Sequence, residues 1–149
     1  MSKSIKVFII SIILLSVFNP VAKSAFANDQ TIFGIHNATI TPNYVGTIMI
    51  TTGLSISAGE LVSCTSTLSL YPGHYADLTM YLQRKGSNGY WTTVESWSGN
   101  GSGISGVSLF ESCSGLTKGT TYRVYSVADV YQNGSHVERV SIASQESTH

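Results

Sequence analysis

The stretch from Leu116 to Val130 constrains the fold of this chain more than any other. Small and apolar residues at the even positions from Tyr122 to Val130 alternate with larger or polar residues at the odd positions. Alternation at a period of two residues is typical of a strand with one buried face and one outer face. The spacing of Leu116, Gly119 and Tyr122 predicts a tyrosine corner, in which the ring is buried and the hydroxyl bonds to upstream backbone.

The N-terminus has the pattern of a secretory signal peptide. Lys3 and Lys6 precede an apolar run over residues 7–18, and small residues flank Phe26 at a cleavage site after Ala27. An uncleaved membrane anchor is the other interpretation, but a helix needs about twenty apolar residues to cross a bilayer. We therefore predict a signal peptide at 1–27, secretion to the extracellular space, and no stable membrane insertion after cleavage.

Residues 28–149 have the length of one domain. We predict a partly ordered lead-in at 28–46 with a short edge strand near Thr31–Ile35, a β-sandwich domain at 47–144, and a polar tail at 145–149. The predicted cleavage removes three of the eight basic residues and none of the eight acidic ones, so the exported chain is mildly acidic. Without a basic stripe, nucleic-acid binding is not expected.

The chain after residue 46 shows about seven strand patterns separated by turns, and no helical pattern. Tyr71-Pro72-Gly73 predicts one of these turns, and the residues from Gly99 to Gly103 predict a flexible loop. Seven antiparallel strands at this spacing are typical of two sheets packed face to face. The predicted fold is all-β, an immunoglobulin-like sandwich.

Two resemblances agree with this fold. The Leu116–Val124 pattern resembles fibronectin type III domains, which carry a Leu, a Gly and a Tyr at the same spacing. Nearly the whole exported chain resembles small, uncharacterised secreted single-domain proteins of Gram-positive bacteria, through Leu54–Ser57, Cys64, Leu82–Lys85, Trp91–Trp97 and Gly119–Val124. The second resemblance implies a fold and an exported location, and it implies no function.

The sequence contains two cysteines, Cys64 and Cys113. An even number of cysteines in an exported chain favours a disulfide. Both also fall at the inward positions of their predicted strands. We therefore expect a bond between them.

No group of residues forms a catalytic or metal-binding pattern. The sequence lacks the Gly-x-Ser-x-Gly motif, and its four histidines are scattered without a metal-ligand spacing. We expect neither enzyme activity nor a cofactor.

The aromatic residues are the best candidates for function. Tyr81, Tyr125 and Tyr131 have outward parity on two strands, and Trp91 and Trp97 are expected to share one face of a third. Exposed rings in a row can bind an extracellular glycan or protein. The alternative is that these rings only stabilise the sheets through cross-strand pairs. A structural or self-associating extracellular protein with an exposed sheet edge is the second hypothesis.

Overall fold

The computed structural model describes residues 36–40, 44–58 and 60–149. The described residues form nine strands: β1 (His36–Ile40), β2 (Thr47–Ile56), β3 (Val62–Leu70), β4 (His74–Lys85), β5 (Trp91–Ser102), β6 (Val107–Cys113), β7 (Thr121–Gln132), β8 (Ser135–Ala143) and β9 (Ser147–Thr148). The predicted signal peptide at 1–27 and the predicted edge strand near Thr31–Ile35 lie outside the described residues. Within those residues, no helix is long and apolar enough to cross a membrane.

The strands form two antiparallel sheets that pack against each other. Sheet one has the order β1-β2-β3-β6. Sheet two has the order β5-β4-β7-β8, and β9 pairs with the start of β7. The predicted all-β two-sheet sandwich is confirmed, and its strand order is compatible with an immunoglobulin-like fold.

The core lies between the sheets and is built from alternate residues of each strand. Every second residue of β3 and of β7 is buried, as alternation at period two requires. Leu68, Leu78 and Val124 are fully enclosed members of this core, and each such side chain stabilises the fold by about 1.5–3 kcal/mol through burial. One hydrogen bond joins the sheets inside the core, between the hydroxyls of Thr52 and Ser126 at 3.1 Å.

The prediction of a flexible loop at Gly99–Gly103 is wrong for most of that segment. Residues 99–102 continue β5 and pair with the first half of β4. Glycine is needed there for close packing. A Cβ atom on Gly101 would lie 1.8 Å from the carbonyl oxygen of Gly106. The absence of a side chain lets β5 approach Gly106, the residue that directly precedes β6.

The predicted disulfide is also wrong, because Cys64 and Cys113 are both free thiols. The two residues lie on neighbouring strands of sheet one, where Cys113 stands opposite Val62 and Cys64 stands opposite Glu111. They are therefore diagonal neighbours, with Cα atoms about 7–8 Å apart. A disulfide usually needs about 4.4–6.8 Å. The prediction rested on the inward positions of the two cysteines, which do not show how β3 and β6 are aligned.

The polar tail predicted at 145–149 is part of sheet two. The amide of Gly119 donates to the carbonyl of His149 at 2.8 Å, and the amide of His149 donates to the carbonyl of Thr120 at 3.0 Å. The hydroxyls of Thr121 and Thr148 lie 3.0 Å apart. These backbone bonds explain how a segment without apolar residues joins the fold, since they satisfy the edge of β7 beyond the end of β8.

Candidate functional site

The outer face of sheet two carries most of the predicted binding residues. In β4, Leu78, Met80 and Leu82 point into the core, so the residues between them face outwards. The strands β4 and β7 pair along their length, which brings their outward tyrosines together. We call the outward residues Tyr75, Tyr81, Trp91, Tyr125 and Tyr131 the aromatic face.

Tyr81 and Tyr125 form the centre of the aromatic face. They stand directly opposite each other on β4 and β7. Their ring centroids are 6.4 Å apart, the planes are inclined by 26°, and the rings are stacked. Both side chains are half-buried by their neighbours. Such a pair stabilises the sheet and also offers a flat apolar surface to a ligand.

Arg123 connects this pair to Trp91. Its guanidinium lies 4.2 Å from the centroid of the Trp91 ring and 5.5 Å from that of Tyr125. The Nε–H of Arg123 donates to Oε1 of Gln83 at 2.9 Å, which holds the guanidinium in place. Burial lowers the pKa of Arg123 below its usual value. The guanidinium is therefore partly desolvated, a condition that strengthens cation–π attraction.

The prediction that Trp91 and Trp97 share one face is wrong. A β-bulge interrupts the pairing of β4 with β5, because Leu82 stands opposite Glu95 while Gln83 stands opposite Thr93. One extra residue exchanges the two faces of a strand. Trp97 consequently lies opposite Met80 and packs against the core.

Trp91 remains on the outer face, opposite Lys85. The Lys85 ammonium lies 5.4 Å from the centroid of the Trp91 ring and also bonds to Glu146 at 2.8 Å. This end of the aromatic face therefore holds two cations beside Trp91, Arg123 and Lys85, and Glu146 pairs with the second of them.

Tyr131 forms a second aromatic cluster near the other end of β4 and β7. It stands opposite Tyr75, with ring centroids 6.1 Å apart and planes inclined by 46°. The ring of His136 meets Tyr131 edge-on at 5.4 Å. Sequence reasoning missed Tyr75, although it shares the outward parity of Tyr81. Its place just after the turn at Tyr71–Gly73 hid that it already belongs to β4.

An open groove of about 360 Å³ adjoins Tyr81 and Tyr125. Its other lining side chains are mainly polar and come from all four main strands of sheet two: Gln83, Thr93, Val127, Arg139 and Ser141. Amide, hydroxyl and guanidinium groups beside flat rings provide both hydrogen bonds and apolar contact. This combination is typical of sites that bind small polar ligands.

Two carboxylates, Asp77 and Asp129, stand opposite each other between the two aromatic clusters. Arg139 binds Asp129 at 2.9 Å, and His136 binds it at 3.1 Å. Burial acts to raise the pKa of Asp129, but the hydrogen bonds from Arg139 and His136 prevail and hold it below its ordinary value. This neutralisation relieves the repulsion expected of like charges in a cross-strand pair.

The predicted structural residues meet at the start of β7. Tyr122 is only 2% exposed, and its hydroxyl oxygen accepts a hydrogen bond from the amide of Thr117 at 2.9 Å. Gly119 has a positive φ of 71°, and Leu116 packs against the core. This is the geometry of a tyrosine corner. It anchors the strand that carries Tyr125 and Tyr131.

The two thiols have protected surroundings. Burial, followed by the influence of Cys113 and Glu111, raises the pKa of Cys64 to about 12. Burial and the nearby Glu95 raise the pKa of Cys113. A thiol with a raised pKa is a poor nucleophile at neutral pH. Among residues 36–40, 44–58 and 60–149, no three His, Cys, Asp or Glu side chains are placed to hold a metal ion.

Comparison with known proteins gives no family for this chain. No protein-family model matches it, and the search of curated proteins finds no match.

Proposed function

We propose that this protein is an exported, non-enzymatic binding module that recognises an extracellular glycan or surface protein through the aromatic face. The predicted signal peptide at 1–27 and the resemblance to small secreted proteins of Gram-positive bacteria support export. A rigid sandwich that presents side chains from its central strands is a suitable scaffold for such a role.

The observation that carries this proposal is the arrangement around Tyr81 and Tyr125. Their rings, with planes inclined by only 26°, offer apolar aromatic surface against which the apolar face of a sugar ring can pack. The adjoining groove supplies hydrogen-bonding groups from Gln83, Arg139 and Ser141. Because these side chains come from paired strands, their spacing is preorganised and little conformational entropy is lost on binding.

A pull-down with glycans and cell-wall material tests the proposal. The purified exported protein, residues 28–149, should be retained by at least one polysaccharide or cell-wall fraction. Tyr81→Ala and Tyr125→Ala should each weaken retention by roughly tenfold or more, the loss expected for truncating a central binding residue.

Phe110→Ala is the matched control, because it removes an exposed aromatic ring from sheet one. It should leave retention unchanged. Equal retention of wild type, the two tyrosine variants and Phe110→Ala would count against the aromatic face as the binding surface. So would a lack of binding to every fraction.

Self-association through β6 is the second candidate function. This strand is an edge of sheet one, and Phe110 on it is 70% exposed. The strand contains no proline, and its pairing with β3 has no bulge. Natural edges usually carry such features to prevent pairing with another chain.

The molecular mass of the protein in sedimentation runs at two concentrations separates these candidates. Self-association predicts a mass that rises with concentration and returns to the monomer value in Phe110→Lys. Ile104→Lys is the matched control, because Ile104 is 69% exposed and lies outside the strand. A monomer at both concentrations would eliminate this candidate and leave the binding module.

A further inference from the structure

The second aromatic cluster lines a cup at one end of the aromatic face. Tyr75 and Tyr131 form two of its walls, with planes inclined by 46°. Gly73 and Gly134 also line it. Because glycine has no side chain, both leave the cup open. The concavity measures about 430 Å³, which is room for a small organic group.

The cup has an uncompensated negative charge. Asp77 lines it and accepts a hydrogen bond from the Tyr75 hydroxyl at 2.6 Å. This bond raises the pKa of Tyr75, so the phenol stays protonated and continues to donate. In the part of the chain that the structure describes, no Lys, Arg or His forms an ion pair with Asp77, whereas Asp129 opposite it has both Arg139 and His136.

We propose that this cup binds an organic ammonium group. The faces of aromatic rings attract cations within about 6 Å of their centroids. With centroids 6.1 Å apart, Tyr75 and Tyr131 can share one cation. Asp77 supplies the counter-charge beside them. A bare metal ion fits less well, because it prefers several oxygen ligands and the cup offers one carboxylate.

A trimethylammonium head group and a lysine side chain both carry such a positively charged ammonium group. Either could belong to an extracellular polymer or protein. The inference deepens the proposed function and rests on it, since both assign binding to the same face. It depends, however, on Tyr75 and Asp77, whereas glycan or protein binding depends on Tyr81 and Tyr125.

Titration of the purified protein with choline, followed by NMR chemical shifts, tests the proposal. We expect saturable shifts at Tyr75 and Tyr131. The uncharged isostere 3,3-dimethylbutan-1-ol should give none, because it has the same shape without the charge. Tyr75→Leu should weaken choline binding roughly two- to fivefold, and Asp77→Asn should weaken it by a similar factor or more.

Controls separate the cup from the rest of the molecule. Tyr90→Leu removes a tyrosine that is 74% exposed and outside the cup, and it should leave choline binding unchanged. Tyr81→Ala should also leave choline binding unchanged while it impairs glycan or protein binding. Since Tyr75 is 40% exposed and Asp77→Asn is isosteric, both cup variants should fold, with shifts elsewhere unaltered.

Titration with Nα-acetyl-lysine distinguishes the two sources of the cation. Binding of choline alone assigns the cup to quaternary head groups, and binding of both assigns it to ammonium groups including lysine. Equal binding of the uncharged isostere, full affinity in Asp77→Asn, or no saturable shift with either cation would each overturn the proposal.

Discussion

Removal of the Tyr122 hydroxyl tests the anchor of the strand on which the aromatic face depends. In Tyr122→Phe the amide of Thr117 loses its acceptor at 2.9 Å. A hydrogen bond of this kind contributes about 0.5–1.5 kcal/mol. Thr117 is exposed, so water can replace the lost acceptor. We therefore expect a loss of about 1 kcal/mol in the free energy of unfolding.

Removal of the whole ring should cost much more. Tyr122 is 2% exposed, so Tyr122→Ala leaves a cavity among core residues. Truncation of a buried aromatic ring costs about 3–5 kcal/mol. By contrast, Tyr125→Phe changes a half-exposed residue on the outer face of the same strand and should stay within about 0.5 kcal/mol of wild type.

Urea unfolding of the three variants measures these differences. A small domain has an m-value of about 1–3 kcal/mol per M, so a loss of about 1 kcal/mol lowers the midpoint by roughly 0.3–1 M. If Tyr125→Phe costs as much as Tyr122→Phe, the assignment of the buried and outer faces of β7 is wrong. The aromatic face would then have to be abandoned.

Three further predictions concern the reactivity of the thiols, the packing of Gly101 against backbone, and the pH dependence of stability. Alkylation of the denatured, non-reduced protein should label both Cys64 and Cys113, whereas the native thiols should react slowly at neutral pH because their pKa values are raised; absence of free thiols would refute this. In thermal or urea unfolding, Gly101→Ala should cost at least about 1–3 kcal/mol through its clash with the Gly106 backbone, while Gly86→Ala, whose nearest contact would be the exposed side chain of Asn88, should cost less than about 1 kcal/mol. The lowered pKa of Asp129 means that its ion pairs contribute fully above the ordinary value of 3.8, and that this contribution is lost as the pH falls through the lowered value. Urea unfolding from about pH 5 to about pH 2 should therefore differ between wild type and Asp129→Asn, and identical profiles would contradict the prediction.

The local pattern of the sequence was enough to predict β3, β4 and β7 and which of their faces is buried. Alternation in β3, β4 and β7 separates buried from outward residues because side chains of a strand point to opposite faces in turn. The spacing of Leu116, Gly119 and Tyr122 likewise predicted the tyrosine corner, since that feature is built within a few residues. The outward parity of Tyr81 and Tyr125 follows from the same rule.

Features that depend on how strands pair could not be read from the same pattern. The bulge that separates Trp91 from Trp97 is a property of β4 and β5 together, and it reverses parity without any sign in the local sequence. The offset between Cys64 and Cys113 depends on the register of β3 with β6.

Only the tertiary structure assembled the candidate sites. Tyr75 and Asp77 lie on β4, whereas Tyr131 lies on β7, far away in the chain, and their meeting depends on the pairing of these two strands. The continuation of β5 through Gly101 and the pairing of the C-terminal tail with β7 also depend on the tertiary structure. In both, contacts between residues distant in sequence outweigh the local preference of glycine and polar residues for loops. Period-two alternation determines which way a side chain points, whereas strand register determines which side chain it meets.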